Sequence, residues 1–299
     1  MGELAGLATS LLWSLTSVQF TLAGRRIGSG ALNRFRLVVA TVFLSLAHFA
    51  LQGEFLPFGA ESFRWVWLGS SGLVGLVLGD TALFKALQLI GPRRSMLVMT
   101  LVPVISAVLA WTWLGETLQF TELAGALLTI GGTAWVVSEA PGNGATSNTA
   151  KGGREYRLGL LFALGGALGQ ALGLVLASKG LAGGFRPLSA TLIRMMVATG
   201  GIWLLALFSR RVRGSGRILS DRHTWLPLVG GSLTGPFLGV WCSMVAIQNA
   251  PVGIASTLMS LSPILLIPLE RYVFGERAGA RAIGGTAVAL AGAAIIFMT

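Results

Sequence analysis

Ten apolar stretches mark out the chain, running approximately Leu4–Leu22, Leu32–Leu51, Trp65–Leu89, Ser95–Leu114, Thr121–Val137, Leu158–Ala177, Leu188–Phe208, Trp225–Ile247, Gly253–Val273 and Ala282–Met298. Each holds about 20 residues, enough as a helix to cross about 30 Å of hydrocarbon. Apolar and polar positions do not alternate with period two, so an outer-membrane barrel is excluded. Most connections are short. The exceptions are Ser138–Arg157, rich in Gly, Asn, Ser and Thr, and Ser209–Thr224, rich in Arg. The first divides the chain into a five-span unit over 1–140, a linker over 141–156 and a second five-span unit over 157–299. The pattern predicts an all-α integral membrane protein with ten transmembrane helices.

The two units are copies. Pro103, Gly115-Glu116, Gly125 and Gly132 return as Pro263, Gly275-Glu276, Gly285 and Gly292, each 160 residues on. Gly75/Gly235, Gly79/Gly239, Ala86/Ala246, Gln88/Gln248 and Met99/Met259 keep the same interval. A fixed long-range self-match of this kind signals a duplicated unit. Because each copy has five spans, the second must enter the membrane upside down relative to the first.

Composition and charge agree. Charged residues make up 11% and hydrophobic residues 54% of the chain, against about 25% charged in a typical soluble domain. The solvent for most of this surface is therefore lipid. Loops after odd-numbered spans carry 16 Lys and Arg, and those on the other side only Arg64, Lys179 and Arg186. That bias predicts a multi-pass protein of the inner (cytoplasmic) membrane with both termini outside. Between copies the basic end is swapped: Arg93 and Arg94 align with Gly253 and Ile254, while Trp111, Thr117 and Thr121 align with Arg271, Arg277 and Arg281. Inverted repeats that both keep positive charge in the cytoplasm require this exchange. The net charge of +11 belongs to these loops, and no basic helix or aromatic-basic module points to nucleic acid. The single Cys242 leaves no intrachain disulfide and no Cys/His metal cluster. The amino terminus reads as a mature first helix rather than a removed signal.

The paired Pro…Gly-Glu elements, Arg36 and Arg194 near the starts of spans two and seven, and Trp13-Ser14 in span one resemble the EamA-type transporters of the drug/metabolite transporter superfamily. The resemblance covers almost the whole chain, in two copies. It implies two inverted five-helix repeats around a central cavity, and export or exchange of a small metabolite by alternating access. Family cargoes include amino acids, purines, cofactors, sugars and drugs, so the small-molecule substrate stays open. Small multidrug relatives keep an acidic residue in the first helix for proton exchange. Here spans one and six hold no carboxylate beyond Glu3.

A charge inside a span costs at least about 2.5–3.5 kcal/mol at the centre on insertion scales, so each needs a reason. Asp80 lies near the middle of span three, and its aligned partner is Val240. It is placed to bind a substrate amine, accept a proton, or pair between helices. Lys85 either reaches a substrate carboxylate or snorkels toward the span end. Gln88 and Gln248 bind cargo or hold helices together. Trp13, Phe84 and Trp241 are candidates for an apolar cavity wall. Arg36 and Arg194 either grip a carboxylate or phosphate in bidentate fashion or close a gate on a loop carboxylate. Pro103 and Pro263, with Pro268, free backbone carbonyls within helices and mark hinges. Glu116 and Glu276 cap or tether short turns. His48 and His223 read as interfacial. Gly91-Pro92-Arg93-Arg94 reads as a turn without phosphate-cradling spacing. No catalytic residue, metal ligand or cofactor motif emerges. The expected partners are a small-molecule substrate, the lipid bilayer, protons as a candidate coupling ion and, at most, a second copy in a homodimer. The reading from another class is a membrane enzyme or scaffold that does not transport.

Overall fold

The computed structural model describes residues 1–138, 153–208, 222–262, 264–265 and 280–298. All regular structure among them is helical. Helices α1 (Gly2–Ile27) and α2 (Ser29–Gln52) meet at Gly28, whose φ of 76° is open to glycine at no steric cost. Next, α3 (Ser62–Ser71) passes through a π-helical segment, Gly72–Gly79, into α4 (Asp80–Met99), followed by α5 (Val102–Leu114) and α6 (Phe120–Ser138). The second half holds α7 (Gly153–Leu181), α8 (Pro187–Phe208), α9 (Arg222–Ser232), a second π-helical segment Leu233–Gly239, α10 (Val240–Asn249), α11 (Val252–Met259) and α12 (Ala280–Met298). Taken as spans, α3 joins the start of α4, the end of α4 joins α5, and α9 joins α10. Each half then supplies five. Five of the described helical stretches are long and apolar enough by themselves to cross a membrane.

The inversion is written into the contact between α6 and α12. A methyl on Gly125 would lie 2.8 Å from the Gly292 carbonyl oxygen, and one on Gly132 would lie 2.6 Å from that of Gly285. Each glycine thus meets the counterpart of the other. Midway, Thr129 Oγ1 donates to the carbonyl of Ala289, its own counterpart, at 3.4 Å. A two-fold axis crossing an antiparallel helix pair produces this pattern, and small residues let the backbones close.

Gly91-Pro92-Arg93-Arg94, read as a turn, lies within the α4 backbone, and the break comes at Thr100–Leu101. Pro103 fixes its place: it sits in the first turn of α5, where a helix needs no N–H, so the hydrogen-bond ladder of α4 ends before it. Pro103 therefore opens a helix instead of kinking one from inside. The break recurs one repeat on, at Ser260–Leu261 after α11. In both, the Leu N–H reaches back three residues, Leu101 to Val98 at 3.1 Å and Leu261 to Leu258 at 3.3 Å. Ser106 and Ser256 hydroxyls meet at 2.6 Å. Ser106 lies five residues past the first break and Ser256 five before the second. Since α5 and α11 run antiparallel, the two breaks stand level. Pro263, Pro268 and Glu276 lie outside the described side chains.

Candidate functional site: a buried ionic cluster and a polar stripe

Both π segments end on repeat glycines, Gly79 and Gly239. A π turn inserts a residue into the helical register and re-aims the side chains beyond it, a feature frequent at functional sites. The first side chain beyond Gly79 is Asp80. Its surroundings are built from glycine: a methyl on Gly169 of α7 would lie 2.6 Å from Gly79 Cα, and one on Gly173 would lie 3.0 Å from Gly75 Cα. Ser71 Oγ donates to the Gly173 carbonyl at 2.5 Å and fixes the register of this contact. Gly72 brings α8 equally close, since a methyl there would overlap the Arg194 carbonyl oxygen. Two helices, α7 and α8, are thereby drawn tightly onto the π segment.

Asp80 is 6% exposed. Its Oδ2 pairs with Arg36 Nη2 from α2, and its Oδ1 accepts from Gln170 Nε2 of α7 at 2.5 Å. Arg36 Nε donates to Asn33 Oδ1 at 2.8 Å, and the guanidinium carbon lies 5.2 Å from the Phe84 ring centre and 5.8 Å from that of Phe20. Its Nε and Nη2 are thus engaged by an amide and an acid, and its plane lies near two π faces. The sequence places Arg36 against a loop carboxylate or cargo; its observed partner is Asp80.

Arg194 adds a second positive charge within electrostatic reach of Asp80. At 3% exposure it is more buried than Arg36. Its Nη1 faces the Met244 thioether at 3.0 Å, a weak acceptor. Its Nε has no hydrogen-bond partner. Two guanidinium groups share one carboxylate, so the cluster carries a net charge of about +1. Desolvating such a charge costs several kcal/mol unless something balances it.

From Asp80 a polar stripe runs along α4. Thr81, Lys85 and Gln88 recur at helical spacing and are all exposed. Across from them, Asn33 Nδ2 donates to Thr81 Oγ1 at 3.3 Å and Gln88 Nε2 donates to Ser29 Oγ at 2.6 Å. The stripe and the first turns of α2 thus form a continuous polar surface that ends at the buried cluster. The aligned Gln248 has a different task, donating from Nε2 to the Phe185 carbonyl at 2.6 Å near the far end of the bundle. Trp13 is half-buried against the second π segment, with its Nε1 and Cδ1 where a methyl on Gly239 would stand. Trp241 lies half-buried beside Phe237 at 6.0 Å between ring centres. Ser14 Oγ donates to the Ser262 carbonyl at 2.7 Å, just past the second helix break.

At the opposite end, a cavity of about 380 Å³ is lined by His48, Glu61, Arg64, Phe185 and Arg186, among others. His48, read as interfacial, is 1% exposed. The reason is bonding: Nδ1 meets the Glu54 carbonyl at 2.5 Å and Nε2 meets Ser189 Oγ at 3.0 Å, so the ring ties the α2–α3 loop to α8. Arg64 closes the neighbouring seam, donating to the Gly180 and Ala182 carbonyls at 3.0 and 2.8 Å. Glu116 Oε2 accepts the Val252 N–H at 2.8 Å, at the start of α11. Asn33, Gln170 and Met244 are the cluster members that sequence reasoning passed over. The Gly169/Gly173 pair beside Gln170 was the signal that could have found them.

The model of the EamA-like transporter family matches residues 1–138 and again 157–298. A solved structure described as "Crystal structure of protein" superposes with a TM-score of 0.76 at 21% identity, over 99% of this chain and 96% of that one. No curated protein matches. Duplicated match, all-helical fold and repeated breaks agree: the chain belongs to the EamA-like transporter family, multi-pass membrane transporters of small molecules within the drug/metabolite transporter superfamily.

Proposed function

We propose that this transporter is a secondary carrier that exports or exchanges a small metabolite, an amino acid or related compound, across the cytoplasmic membrane by alternating access. The single observation that carries the reading is the position of the Asp80–Arg36–Gln170 cluster at the inner end of the exposed Thr81–Lys85–Gln88 stripe, which lines a cytoplasmic cleft in this reading. Lipid does not favour an exposed polar stripe within a span, whereas a water-filled route does. Cargo enters along the stripe, with Lys85 and Gln88 as polar contacts, and reaches Asp80 beside Phe84, with Trp13 and Trp241 as apolar walls. The level breaks at Thr100–Leu101 and Ser260–Leu261, with Pro103 and Pro263, are the hinges on which the halves rock. Arg36 and Arg194 act at the gate between cleft and far cavity, while Glu116 and Glu276 hold short turns. Loop charge puts the cleft on the cytoplasmic face and both termini outside. A proton gradient or the cargo's own gradient drives the cycle.

The test is uptake into proteoliposomes, screening competing metabolites with and without a pH gradient, beside Asp80→Asn and Lys85→Met. Loss of uptake in correctly inserted variants supports the reading. Normal uptake by both sinks it. Labelling a cysteine placed in the Ser209–Thr224 loop from outside the cell would reverse the orientation.

A further inference from the structure

We infer that Arg194 is the receptor for a carboxylate on the cargo. The inference rests on the transporter reading for its setting, and on the geometry of one guanidinium for its content. Arg36 and Arg194 correspond at an interval of 158, each opening an Arg-x-x-Val-Ala-Thr run that ends at Thr41 and Thr199, while Phe84 and Met244, and Asp80 and Val240, correspond at 160. Arg36 touches the first member of each of the last two pairs. Arg194 touches Met244, and the position that would give it an acid holds valine. Its Nε, buried and without a partner, marks where an acceptor belongs.

The guanidinium packs on the bare backbone of the first π segment: a methyl on Gly75 would lie 3.7 Å from Arg194 Nη2, an ordinary contact. The ligand chemistry derives from charge and shape. One guanidinium in excess is balanced by one negative charge, and a dianionic phosphate would leave a buried charge of the opposite sign. A planar carboxylate takes the paired N–H edge of a guanidinium in two parallel bonds, which a spherical halide does not. Both Asp80 oxygens are already engaged by Arg36 and Gln170, so the carboxylate that balances the cluster is one whose molecule brings no ammonium group into it.

The experiment is thermal stabilisation of the purified full-length protein. Its probes are the standard amino acids with pyruvate, lactate and succinate, the amino acids each beside the carboxamide and the decarboxylated amine. Chloride and inorganic phosphate serve as anion controls. At least one free carboxylate is expected to raise Tm where its amide, its amine, chloride and phosphate do not. Arg194→Gln is expected to weaken that binding about tenfold or more. Val240→Asp keeps Arg194 and supplies an internal counter-ion, so it is expected to raise Tm without ligand and remove the ligand effect. Gly75→Ala sets a methyl 3.7 Å from Arg194 Nη2 and is expected to weaken binding while leaving the unliganded Tm in place. No response to any carboxylate, an equal response to chloride, or undiminished binding in Val240→Asp each overturns the inference. Uptake of the same probes separates the two readings. Binding without uptake keeps the site and removes the carrier. Uptake of a neutral or cationic solute, unchanged in Arg194→Gln, keeps the carrier and removes the site.

Discussion

Arg36 and Arg194 occupy the same place in two copies of one unit, yet one is paired with an acid and the other is not. Arg36 holds an aspartate, an asparagine and two aromatic faces. Arg194 holds a thioether and leaves Nε bare. The scaffold around them is symmetric: both π segments, both helix breaks and the antiparallel α6–α12 seam repeat. The lesson is that duplication fixes where side chains converge, while a few substitutions in one copy decide what they converge upon. Asp80 opposite Val240 is the substitution that matters most.

The comparison breaks hardest at its one shared acid. Asp80→Ala leaves two buried guanidinium groups with no carboxylate, and removing one partner of a buried pair costs roughly 3–5 kcal/mol. Low yield of folded protein and a clear fall in Tm are expected in detergent. Moving the acid instead of deleting it is gentler. In Asp80→Val with Val240→Asp, Arg194 gains what Arg36 loses, so most of the lost Tm is expected to return. Recovery below half would mean that Gln170 and Asn33 hold the first copy's acid in a way the second cannot match.

The symmetric parts respond differently. Gly132→Ala puts a methyl 2.5 Å from the Ala289 amide nitrogen at the two-fold seam, and overpacking of this kind costs about 1–3 kcal/mol. Tm should fall while ligand-induced stabilisation persists. Glu116 gives the smallest effect. Burial lifts its carboxyl above the usual carboxylate range, partly opposed by the Val252 N–H. A raised folded pKa means the charged form is disfavoured in the fold, so the penalty is full above the raised value and vanishes below the unfolded one. Glu116→Gln keeps an acceptor for Val252 and drops the charge. Its Tm is expected to exceed that of the parent slightly at pH 8 and to equal it at pH 4. An equal difference at both pH values would show that burial of the charge contributes nothing.

Much of the frame is legible in the sequence. The 160-residue interval comes from recurring Pro, Gly and Glu residues and the exchanged basic ends from loop charge, both properties of sequence alone. Asp80 and Arg36 each stand out as costly charges in lipid. Their pairing does not, because a uniform 3.6-residue helix aims Asp80 elsewhere, and the π segment that redirects it leaves only repeated glycines as a trace. His48 escapes for a similar reason: its burial depends on a loop carbonyl and on Ser189 from the other half. The break before Pro103 is displaced from Gly91-Pro92 because backbone punctuation signals a break more readily than its position.

The most direct test concerns Lys85, an exposed member of the polar stripe. A single cysteine at that position, in a Cys242→Ser background, can be reacted with a membrane-impermeant maleimide in right-side-out and inside-out vesicles. Alternating access predicts that the cysteine labels from one face without cargo, and that an imposed cargo gradient moves labelling to the other. Labelling from one face alone under every gradient would contradict it.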